Sequence, residues 1–121
     1  MAFADPQSVT INSVANTLPR TGIGPNSGTF SKDDGTVLLS ISHAPARNGR
    51  MRRTVRIDHS KIAADPLTAE NTEFSMSTYV VVDHPKRGYS NTEVKQIVDA
   101  LTAYLTASTG ANVTKLLGSE V

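Results

Sequence analysis

The chain has 121 residues, 38% hydrophobic content, no Trp, no Cys and a formal net charge of +1. That length fits one domain with a modest core. The missing cysteines exclude disulfides and thiolate metal sites, and no apolar run approaches a membrane span. The N-terminal MAFADPQSV lacks the basic region and long apolar core of a secretory signal.

Residues 1–7 read as a short arm or as the approach to a first strand. From Ser8 to Ala15, Val9 and Ile11 alternate with polar residues, which predicts a strand. Asn16 is placed as the turn, and Thr17 to Arg20 as a short return strand that Pro19 keeps from a central position. Thr21 to Gly28 contains Gly22, Gly24, Pro25, Asn26 and Gly28, and the turn rules make it a loop. Thr29 to Lys32 is expected as an edge strand, followed by a turn at Asp33-Asp34-Gly35.

Val37 to Asp58 forms the clearest pattern. Val37, Leu39 and Ile41 alternate with Leu38, Ser40 and Ser42; Val55 and Ile57 alternate with Thr54, Arg56 and Asp58. Period two places one set on each face of a sheet, so a β-hairpin closed near Pro45 to Gly49 has a dry face and a polar, basic one. The dry face is expected to lie under the C-terminal helix, including that of a partner. Lys61 to Asn71 is read as a loop. Thr72 to Asp83 is a further strand, with Phe74, Met76, Val80 and Val82 favoured for the core and Ser75, Ser77, Tyr79 and Val81 for the other face; His84-Pro85 is expected to break it.

The period then changes. Ser90 and Glu93 form a capping box for a helix running to Ser108, with Val94, Ile97, Val98, Leu101, Tyr104 and Leu105 as its apolar stripe. Gly110 should stop it, and Asn112 should cap a second helix from Val113 to Leu117. Strands followed by helices make this an α+β chain.

Charge is segregated: Arg47, Arg50, Arg52, Arg53, Arg56 and Lys61 face Asp58 alone within one block. A solvated basic hairpin is the plain reading. The functional one is contact with RNA: Arg forks onto phosphate, Ser and Thr exchange hydrogen bonds, and Tyr79 can stack an unpaired base. Arg56 lies on the strand itself, whereas Arg47 and Arg50 at the loop serve intersubunit contact or solvation equally well. His43, His59 and His84 are scattered near strand ends without metal-ligand spacing, and neither a phosphate loop nor a HExxH or GxSxG motif is present. No enzyme, metal or cofactor is expected.

The layout, and above all GYSNTEVKQIVDALTAYLTASTGANVTKLLGSEV at residues 88–121, resembles the coat proteins of small single-stranded RNA bacteriophages, the levivirus-like group. The resemblance implies one coat-protein domain over 1–121: an N-terminal hairpin and loop (1–28), a five-stranded antiparallel sheet (29–83) and two C-terminal helices (89–118). It implies an interlocked homodimer with a continuous ten-stranded sheet, each protomer's helices covering the partner through Val94, Ile97, Val98, Leu101 and Leu105. It further implies a T=3 shell in the virion, assembled in the bacterial cytoplasm from about ninety dimers, with no membrane or small-molecule partner.

Carried onto this chain, the RNA-facing positions are Ser40, Ser42, Thr54, Arg56, Asp58 and Tyr79, with Arg52 and Arg53 adding charge. Residues 60–71 become the loop around the shell's symmetry axes. Some relatives repress translation by binding an RNA hairpin; Leu38 departs from the basic residue expected there. The alternative is a dimeric RNA-binding regulator that builds no shell.

Overall fold

The computed structural model describes residues 3–121; Met1 and Ala2, part of the expected arm, lie outside the described residues. Strands β1 (Gln7–Ile11) and β2 (Val14–Leu18) form a separate hairpin. The main sheet runs in sequence order, β3 (Arg20–Gly24), β4 (Ser27–Ser31), β5 (Val37–Ala46), β6 (Arg50–Ala64) and β7 (Asn71–Pro85), every pair antiparallel. A 3-10 turn, Arg47–Gly49, joins β5 to β6, and the chain ends in α1 (Asn91–Leu117).

The first hairpin turns at Asn12 and Ser13, not at Asn16. Both residues have positive φ, as a two-residue hairpin turn requires. Asn16 is instead a buried strand residue whose side-chain amide donates to the Val9 and Val14 carbonyls at 3.2 Å each. The expected loop over 21–28 is also corrected: it is β3, a turn at Pro25-Asn26 and the start of β4. Gly22 and Gly24 serve close cross-strand approach here. A Cβ on either would lie 2.8 Å from the hydroxyl of Thr29 or Ser27. The expected turn before β5 is present, with Gly35 at positive φ and its amide donating to the Lys32 carbonyl.

The first hairpin covers the dry face of β4 and β5. Leu18 (0% exposed) and Phe30 (1%) pack with Val37, Leu39 and Ile41, flanked by Val9 and Ile57. This overturns the expectation that a helix of the same chain covers that face. β6 and β7 run further than expected, leaving only residues 65–70 as loop, and β7 continues through His84 to Pro85. Proline is tolerated there because it is the last residue of an edge strand.

The C-terminal region is one helical element, not two. Ser90 caps it by accepting from the Glu93 amide at 3.2 Å. It is broken internally, for Ala107 is extended and Ser108, Thr109 and Gly110 take left-handed conformations. Asn112 does not cap a separate helix; its amide reaches back across the break to the Tyr104 carbonyl at 2.9 Å. No residue of α1 is buried. Its first half only borders the end of β7, where Val94, Ile97 and Val98 line a cleft with Val82 and His84.

Candidate nucleic-acid interface

Directly opposed residues in an antiparallel sheet share a face. The polar face therefore consists of cross-strand rows. Thr29, Ser40, Arg56 and Tyr79 make one; Ser27, Ser42, Thr54 and Val81 make the next; Ser31, Leu38, Asp58 and Ser77 make the third. Each four-strand row spans about 14 Å, from a strand spacing of about 4.8 Å. This register puts Tyr79 on the polar face and Phe74, Met76, Val80 and Val82 on the other, as the sequence reading favours. Tyr79 is 60% exposed, so its ring is open to a stacking partner.

Arg56 is the centre of the surface. Its guanidinium carbon lies 5.7 Å from the Tyr79 ring centroid, within cation–π range. Its Nε donates to Asp58 Oδ1 at 2.9 Å, since residues two apart on a strand point the same way. Arg56 and Asp58 also line an open depression of ≈ 290 Å³ with Leu38, Ser60 and Ser77.

At the hairpin end, Arg50 and Arg52 converge on one acid. Arg50 Nε donates to Asp83 Oδ1 at 3.0 Å, and Arg52 Nη2 lies 3.8 Å from Asp83 Oδ2. Sequence reasoning missed Asp83, because its partners are more than thirty residues away and become visible only when β6 and β7 are in register.

Ser40, Ser42, Arg52, Thr54, Arg56, Asp58 and Tyr79 thus share one face. Arg53 is separated from them. It points to the dry side, where its Nε donates to His84 Nε2 at 3.1 Å and its Nη1 lies 3.0 Å from His43 Nδ1. Guanidinium only donates, so both ring nitrogens accept, and His84 Nδ1 is left to donate to the Pro85 carbonyl.

The expected helix stripe is heavily exposed: Ile97, Leu101 and Tyr104 lie open, with Val94, Val98 and Leu105 only partly covered. Val55, Phe74 and Met76 on the uncovered dry side of β6 and β7 are also exposed.

No protein-family model and no curated protein sequence matches the chain. Solved structures match it in shape. A virus-like particle of bacteriophage AVE019 superposes with a TM-score of 0.80 at 14% identity, covering 98% of this chain and 96% of that one. A virus-like particle of Beihai levi-like virus 21 gives 0.75 at 12% identity over 99% and 98%. The bacteriophage GA capsid protein gives 0.68 at 10% over 97% and 95%. The chain has the coat-protein fold of levi-like bacteriophages. The likeness to these coat proteins runs through the hairpin, the sheet and the terminal helix, since nearly the whole of each chain is covered.

Proposed function

We propose that this chain is a structural capsid subunit that dimerises and assembles into an icosahedral shell around single-stranded RNA. One observation carries the reading: a chain with the coat-protein fold leaves two apolar surfaces unmatched. Among the described residues, most of the dry side of β6 and β7 has no cover, and α1 only borders the end of β7. Large apolar patches on a soluble chain mark association sites. β7 also forms a fifteen-residue open edge whose backbone groups are free on one side. Two-fold pairing of that edge joins two five-stranded sheets into one of ten strands and sets each α1 over the partner's uncovered face. Val94, Ile97, Val98, Leu101 and Leu105 then become dimer core.

In the T=3 shell of the virion, the polar face turns inward. Arg52, Arg56 and the hydroxyls of Ser40, Ser42 and Thr54 meet the genome there, and Tyr79 stacks on a base. Many weak contacts on one polyanion suffice to package it. Binding of one hairpin on the same face would repress translation, and assembly takes place in the host cytoplasm.

Electron microscopy and light scattering of the expressed protein, with sequencing of nuclease-protected RNA, test the reading. Megadalton particles holding protected RNA are expected. An RNA-binding species of about 26 kDa, two chains of 12.9 kDa each, would favour the shell-less regulator. A 12.9 kDa monomer would overturn both.

A further inference from the structure

Every arginine on the polar face already holds an acid. Arg56 is bonded to Asp58 at 2.9 Å, while Arg50 and Arg52 share Asp83 at 3.0 and 3.8 Å. The block keeps a net positive charge once folded, but each of its polar-face arginines is held by a carboxylate, and Asp83 comes from another strand. The pairs are partly exposed on both sides, and exposed ion pairs are weak enough for a phosphate to displace.

We propose that Asp58 and Asp83 are built-in counter-ions that compete with RNA phosphate for these arginines and hold the affinity of each subunit low. This rests on the reading of the polar face as RNA-binding and specifies its regulation: the phosphodiester backbone must expel a carboxylate from each arginine it engages. The two acids differ in how many arginines they touch. Asp58 masks one guanidinium and Asp83 is shared by two, but each carries a single negative charge, so releasing either frees one unit of positive charge.

The test measures binding of a labelled single-stranded oligouridylate by fluorescence anisotropy across a salt series. It uses the full-length chain, freshly separated from particles by gel filtration. Each positive charge freed should steepen the log–log salt slope by about 0.7, the value for a phosphate contact on a single strand. Asp58→Asn and Asp83→Asn should then each steepen it by about 0.7, or about fivefold tighter binding at 0.1 M than at 1 M salt, relative to the unsubstituted chain. Asp99→Asn, which frees Lys95 on α1 from its 2.7 Å partner, removes the same charge away from the face and should leave the slope unchanged.

Weaker or unchanged binding by Asp58→Asn and Asp83→Asn would overturn the proposal, because the acids would then be orienting the arginines or doing nothing. An equal gain from Asp99→Asn would overturn it too, since net charge alone would explain the effect. Arg56→Ala separates the two levels: unchanged binding by that variant sinks the RNA-binding face itself, whereas a loss without a gain in the acid variants sinks only the counter-ion role.

Discussion

Leu101 provides the sharpest test of whether α1 is made for a partner. In the single chain it is 47% exposed on a helix with no buried residue. A substitution there should then change stability by less than about 0.5 kcal/mol, as surface substitutions do. In the proposed dimer its exposed half would be covered. Full burial of a leucine contributes about 1.5–3 kcal/mol, so half of it amounts to roughly 1 kcal/mol per protomer. Two-fold symmetry counts it twice, and Leu101→Ala should weaken the dimer by roughly 2 kcal/mol, about thirtyfold in the dissociation constant. Leu101→Asp adds the cost of burying an unpaired carboxylate at both sites and should abolish assembly. Sedimentation velocity over a concentration series reads the first effect, and electron microscopy reads the second. If Leu101→Asp still gives particles of normal size, this face of α1 does not lie in the interface, and the placement of the helix over a partner is wrong.

Leu18→Ala removes the side chain that joins the first hairpin to the sheet and should cost about 2–5 kcal/mol in urea unfolding. Ser90→Ala deletes the helix cap and should cost about 1 kcal/mol, with the loss of helix seen by circular dichroism confined to the first turns. Asp34 accepts from the Thr36 hydroxyl at 2.7 Å and the Thr36 amide at 3.0 Å, with Lys32 nearby, and these hold its carboxyl below the ordinary aspartate value. A lowered folded pKa means the unfolded chain binds the proton more readily. The stability this group contributes is therefore complete above the ordinary value and lost as pH falls through the lowered one. In a carbon-detected NMR titration, Thr36→Val should move the Asp34 midpoint back upward.

The two-faced character of β5 and β6 was legible because period-two alternation is a purely local signal, and it correctly grouped Ser40, Ser42, Thr54 and Arg56. Arg52 and Arg53 show its limit. They are neighbours in one charge block, yet consecutive strand residues must part to opposite faces, and only one joins the polar surface. The glycines of β3 misled for a different reason. Glycine usually signals freedom to turn, but at Gly22 and Gly24 it answers the hydroxyls across the ladder, a contact visible only with both strands present. The apolar stripe of α1 was equally legible, while what it covers was not, since no local pattern distinguishes a chain's own sheet from a neighbour's.

The two edges of the sheet are unequal, and this decides what kind of object the chain can build. One border is β3, five residues long, irregular between Arg20 and Gly22 and carrying two narrow glycines. The other is β7, three times that length and regular throughout its pairing with β6. A ribbon with two good borders can add copies head to tail without end, as fibres do. This one has a single border fit for docking, so the first pairing across it uses up the invitation. With the proposed two-fold pairing across β7, growth by strand addition would stop at two, and any larger structure would be assembled from finished pairs through other surfaces. A built-in halt of that kind favours a counted, closed container over a filament.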